Sequence, residues 1–203
     1  VYGIPASVKT FLERATWKAQ YTFAIITYGF TSGAAVTHLK RAADLYHKNF
    51  DYVGCIKMVY NYLLAFAIDK EVRNEEKKKI DEKLDGIKAD IKSRRRSTPR
   101  VSIAGKAFEV YGKSYQDTYA SGEFSKQYHV DDSCIHCGIC ARVCPTGNIS
   151  AKQSVQFYNR CEGCMACIHA YPQKAIHLGG EKSQSRYRNK GITLQEIIVS
   201  NQQ

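Results

Sequence analysis

Cys134-Ile135-His136-Cys137-Gly138-Ile139-Cys140-Ala141-Arg142-Val143-Cys144-Pro145 is followed, 27 residues later, by Cys161-Glu162-Gly163-Cys164-Met165-Ala166-Cys167-Ile168-His169-Ala170-Tyr171-Pro172. Each run places three cysteines three residues apart, then a fourth position just before a proline. That position is Cys144 in the first run and Tyr171 in the second. Ile149 and Ile176 match at the same offset, so the segment is an internal repeat. Three thiolates at this spacing let a short loop wrap one corner of an iron–sulfur cubane. The cysteine before proline turns away to ligate the other cluster. Pro145 and Pro172 fix the backbone just past that crossing. Gly138, Gly147 and Gly163 permit backbone to come close to inorganic sulfide, where N–H groups help to set the potential.

Zinc is a poorer fit, because it prefers two C-x2-C pairs separated by a longer loop, and three cysteines within seven residues crowd a tetrahedral site. The crossing rule gives one complete set, Cys144, Cys161, Cys164 and Cys167. Cys134, Cys137 and Cys140 begin the second, whose fourth position is Tyr171. Either that site holds 3Fe–4S, or its fourth iron takes Tyr171 phenolate, His169 or solvent. The preferred reading is a three-cysteine site that loses its fourth iron easily, with His136 and His169 as neighbours of the loops rather than ligands. Seven clustered cysteines and no visible leader indicate a reducing, cytoplasmic setting instead of a disulfide framework. Cys55, in the apolar run Tyr52–Ile56, reads as a buried structural thiol.

Outward from the repeat, the 203 residues suggest one large or two small domains. A hydrophobic fraction of 44% excludes a mostly disordered chain. The longest stretch without formal charge, Ala19–Leu39, is too polar to be a membrane span. Residues 1–94 alternate helix and strand: a helix from Pro5 with Val8, Phe11, Leu12 and Ala15 inward, a strand Tyr21–Tyr28 covered on both faces, a helix Ala34–Lys48 and a strand Tyr52–Tyr60. A charged helix over Glu71–Arg94 carries one apolar stripe, Ile80, Leu84, Ile87 and Ile91. This order predicts an α/β open parallel sheet. Residues 95–124 form a helical linker with an aromatic piece around Phe108, Tyr111 and Tyr115. Residues 125–182 are the cysteine domain. Residues 183–203 are a tail in which Thr193 and Glu196 cap a short helix. Net charge is +11, with twelve basic and seven acidic residues between Lys70 and Arg100. That pattern is a solvated helix face, not a nucleic-acid surface, and it would steer an acidic redox partner.

The cysteine repeat, Cys164–Ile176 and the tail Ser185-Arg186-Tyr187-Arg188-Asn189 resemble the flavodoxin–ferredoxin fusion proteins of anaerobic bacteria. Val1-Tyr2-Gly3-Ile4-Pro5, Phe23–Gly29 and Met58–Leu63 look like the flavodoxin-like half of the same family. The resemblance implies a doubly wound flavodoxin-like domain, incomplete here, joined to a small α+β two-cluster ferredoxin domain. The chain would begin at the end of the third strand, leaving an apolar sheet edge. An isoalloxazine site would retain Tyr2, Gly3, Thr27, Tyr28 and Gly29. FMN itself is expected only in an intact parent, since no phosphate-cradling loop is present. The function expected is electron carriage between redox proteins. The alternatives are an FMN-dependent oxidoreductase, if the flavodoxin half is intact, and a redox-sensing structural protein.

Overall fold

A computed structural model describes residues 3–32, 34–100, 121–170 and 172–201. The chain divides into two compact units, Val1–Tyr60 with Arg73–Asp117, and Asn61–Val72 with Thr118–Gln203.

In the first unit, helix α1 (Ala6–Arg14) leads to β1 (Phe23–Tyr28), α2 (Ala35–Leu45) and β2 (Tyr52–Lys57). The strands pair in parallel from Phe23↔Tyr52 to Tyr28↔Lys57. A further parallel bridge joins Tyr52 to Ser97, which places β2 between β1 and the 97 segment. One face of the sheet, with Val53, Ala24 and Ile26, packs against Leu12 of α1 and Leu39 and Ala42 of α2. On the other face Tyr52 and Ile56 pack against Ile87 of α4 (Ile80–Lys92). Helix α4 covers β2 but not β1, so burial alternates along β1, and Phe23 and Ile25 remain 47% and 41% exposed. The expectation of a strand covered on both faces, made for Tyr21–Tyr28, is therefore corrected; it is β2 that is covered on both faces. Phe11 is also outside the core at 60% exposure, stacked on Trp17.

The single helix expected over Glu71–Arg94 is interrupted. Helix α3 (Ile68–Arg73) ends, a 3-10 turn follows at Glu76–Lys78, and Lys79 is left-handed at φ 49° before α4 begins. Residues 74–79 are polar or charged throughout, so nothing repays carrying the helix across them. The stripe starts where burial starts, at Ile80, with Ile87 buried and Ile80, Leu84 and Ile91 partly buried. Of the linker expected over 95–124, residues 101–120, with Phe108, Tyr111 and Tyr115, lie outside the described residues.

The second unit starts with residues 61–72, which the sequence places with the first domain and the structure packs among the cysteine loops. Leu63 and Ile68 are fully buried there. A 3-10 turn (Glu123–Gln127) precedes β3 (Tyr128–Val130), α5 (Ile139–Arg142) and β4 (Ile149–Ser150). Then come β5 (Gln156–Phe157), α6 (Ala166–Ala170) and β6 (Ile176–Leu178). Strand β3 pairs antiparallel with β6, and β4 with β5. The 27-residue repeat is thus two β-α-β halves, each completing the other's sheet. The tail ends in α7 (Leu194–Ser200), capped by the Thr193–Glu196 box the sequence suggests. Among the described residues no helix is long and apolar enough to cross a membrane.

Candidate metal centre

Each cysteine loop is shaped by left-handed residues at matching positions. His136, Gly138 and Gly147 have φ of 51°, 71° and 59°, and Gly163, Met165 and Lys174, each 27 residues on, have 62°, 60° and 56°. Glycine fills one member of each pair and a side-chain-bearing residue the other, which accepts roughly 1–2 kcal/mol of local strain. A Cβ on Gly138 would meet no protein atom within 4 Å, so backbone conformation, not crowding by the chain, favours glycine there.

The first loop opens on Asp131, whose carboxylate accepts hydrogen bonds from the Ser133 amide (2.9 Å) and hydroxyl (2.6 Å). Cys140 lies in α5 and is buried, while Cys134 and Cys137 are half-buried. The second loop opens where the Cys161 amide donates to Gly122 O at 3.2 Å. Gly122 passes so close to the chain that a Cβ would sit 1.7 Å from Asn159 O. Cys161 and Cys167 are buried, and Cys164 reaches the surface.

Cys144, Cys161, Cys164 and Cys167 line one cavity, together with Tyr128, Ile149 and Met165. The first run's fourth cysteine is therefore brought to the second run's three, as the crossing rule expects. Cys134, Cys137 and Cys140 are grouped by their mutual charge interactions at Cys140. Burial pushes the Cys140 thiol up to about 11 and raises Cys161 and Cys167 as well. Iron must accordingly displace protons to bind here. Among the described residues no three His, Cys, Asp or Glu side chains converge on a single-ion position. Four thiols around one cavity, beside a second loop with three more, suit multi-iron clusters better than a single zinc ion.

Backbone amides address the cysteine sulfurs: Asn148 N–H donates to Cys144 Sγ at 3.2 Å and Gly163 N–H to Cys161 Sγ at 3.4 Å. Asn148 is 1% exposed, and its side-chain oxygen accepts the Arg160 amide at 2.6 Å. Arg160 returns a guanidinium hydrogen bond to Gly147 O at 2.8 Å. The Asn148–Arg160 pair ties the crossing cysteine to the start of the second loop. No sequence signal marked it, because position 148 has Ala175 as its repeat counterpart. Tyr128, in the cavity wall, was likewise missed.

His169 is not available as a fourth ligand. Its Nδ1 accepts the Tyr187 amide at 3.2 Å, so Nε2 carries the proton and donates to Asn61 O at 2.8 Å. Burial lowers its tendency to protonate. Tyr171 lies outside the described residues, as does Tyr2. Of the other flavin candidates, Thr27 and Tyr28 end β1, and Gly29 follows with the Tyr60 ring against it, where a Cβ would lie 2.0 Å from Tyr60 Cδ2.

Residues 126–188 match the 4Fe-4S dicluster domain family. That segment lies outside the residues on which the flavodoxin resemblance rests. The chain is 32% identical over 71 residues to the pyruvate synthase subunit PorD of Methanothermobacter marburgensis, covering 35% of this chain and 86% of that protein. It is 36% identical over 63 residues to the polyferredoxin protein MvhB of Methanothermus fervidus, covering 30% of this chain but only 15% of that much longer protein. No solved structure matches at comparable significance. With most of a single ferredoxin-sized relative covered, the chain belongs to the 4Fe-4S dicluster ferredoxins and serves iron–sulfur electron transfer.

Proposed function

We propose that the second unit holds two iron–sulfur clusters and passes single electrons between redox proteins. Cys144, Cys161, Cys164 and Cys167 hold a 4Fe–4S cluster, and Cys134, Cys137 and Cys140 hold a cluster with one open corner. When bound, such clusters take up and release one electron each. The chain's own residues do the rest. Burial around Cys140, Cys161 and Cys167 excludes water. The Asn148 and Gly163 amides stabilise negative charge on sulfur. The exposed Cys164 provides an edge for electron entry. The convergence of Cys144 with the second run's three cysteines is the observation that carries this reading.

The electron partners are redox enzymes of the kind to which the subunit PorD belongs by name, in a reducing cytoplasm. The net charge of +11 favours acidic partners. The first unit fits part of a flavodoxin-type sheet, since β1 and β2 are parallel neighbours joined by α2, with the 97 segment beyond β2.

Cys144→Ala tests the assignment. It should abolish the electron paramagnetic resonance signal of the cluster that depends on Cys161, Cys164 and Cys167, and leave the other. Loss of the Cys134/Cys137/Cys140 signal instead would overturn the crossing arrangement.

A further inference from the structure

Tyr128 sits on β3 in the wall of the four-cysteine cavity. It is 9% exposed, and its hydroxyl oxygen is buried with no hydrogen-bond partner among the described residues. The ring is gripped edge-on by Phe124 and Phe157, with centroids 5.7 and 5.4 Å away, so the hydroxyl cannot swing out to water. A hydroxyl buried without a partner is costly, and phenylalanine would fill the same space without that cost. The phenol and Cys161 line the same cavity. A phenol with its ordinary pKa of ~10 is protonated at neutral pH, so it is a donor and not a base. The repeat counterpart of Tyr128 is Val155, which has no hydroxyl.

We propose that Tyr128 donates its O–H to sulfur at the Cys144/Cys161/Cys164/Cys167 cluster, raising the reduction potential of that cluster and not of its partner. Reduction places added negative charge on the sulfurs, and a donor aimed at them stabilises the reduced state more than the oxidised one. The two halves of the repeat thereby acquire different potentials, which gives electron flow a direction. The role of Tyr128 is tuning through a hydrogen bond; the cluster ligands remain the cysteines.

The proposal rests on the ligand assignment above, and the test separates the two. The full 203-residue chain, with clusters assembled anaerobically, is titrated with reductant while each cluster's paramagnetic signal is followed. In Tyr128→Phe the oxidised-to-reduced ratio of the four-cysteine cluster at fixed potential should rise roughly tenfold, equivalent to ~59 mV for a one-electron couple. The other cluster should not move. Site-specific 3-fluorotyrosine at 128, a stronger donor of nearly the same shape, should shift the same cluster the opposite way, and decides the matter if the Phe variant does not assemble. An unchanged potential with full iron and sulfide content, or an equal shift in both clusters, overturns the Tyr128 role. A Cys161→Ala variant that keeps both signals would instead overturn the ligand assignment beneath it.

Discussion

Leu63 lies about seventy residues before Cys134, yet its side chain is 0% exposed in the core formed with Cys140, Cys161 and Cys167. Its carbonyl accepts the Lys182 amide at 2.8 Å, and nearby Asp69 accepts the hydroxyls of Ser183 and Ser185. Leu63→Ala removes a fully buried branched side chain and leaves a cavity, a change that costs ~3 kcal/mol in well-packed cores. A unit of this size has a urea dependence of ~1.5 kcal/mol per molar, so cluster bleaching should begin ~2 M earlier. Cluster loss makes unfolding irreversible, so the rate is the firmer readout. A 3 kcal/mol loss is ~150-fold in equilibrium, and most of it should appear as faster bleaching at fixed urea if the contact forms late in folding. Leu45→Ala, at a position 69% exposed on α2, is the control and should stay within about 0.5 kcal/mol of the parent. If Leu63→Ala bleaches at the parent's rate and urea concentration, residues 61–72 are not part of the cluster-bearing core.

Tyr171→Cys should convert an oxidised 3Fe–4S signal to diamagnetic 4Fe–4S, while Tyr171→Phe should leave it; two 4Fe–4S clusters unchanged by either substitution would remove the inferred asymmetry. Gly86 is exposed in mid-α4, and a Cβ there meets nothing within 4 Å. Gly86→Ala should therefore stabilise the first unit by ~0.5–1 kcal/mol in urea melts. Gly122→Ala, with φ +72° and its Cβ 1.7 Å from Asn159 O, should prevent stable cluster assembly, read as iron content. The Thr193 amide and then its hydroxyl hold the Glu196 carboxyl below the ordinary range. The support this gives α7 is present above the unfolded glutamate value of ~4.3 and is lost as pH falls through the lower native value. Nuclear magnetic resonance titration should show the depression and its partial relief in Thr193→Ala.

The cysteine chemistry was legible because it is local. Ligand spacing, prolines and glycines act within a few residues, and the 27-residue repeat already encodes two equivalent halves. The Thr193–Glu196 cap was legible for the same reason, since both partners lie within one helical turn. The charged run 74–79 misled, because amphipathic periodicity reports where burial starts, at Ile80, and not where a helix begins. The both-face covering expected for β1 failed because a run of β-branched and aromatic residues shows what could be buried, and only the placement of α4 over β2 settles what is.

By itself the sequence determined the iron–sulfur chemistry and named candidate ligands, with Cys144 expected to cross into the other motif, since iron–sulfur loops need few residues at fixed intervals. Only the tertiary structure decided that Leu63 and Ile68 belong to the cluster-bearing core, that both His169 nitrogens are engaged, and that the Tyr128 hydroxyl is buried in the four-cysteine cavity. Each of these depends on contacts between residues dozens of positions apart, and neither composition nor spacing records which distant side chains will share a wall.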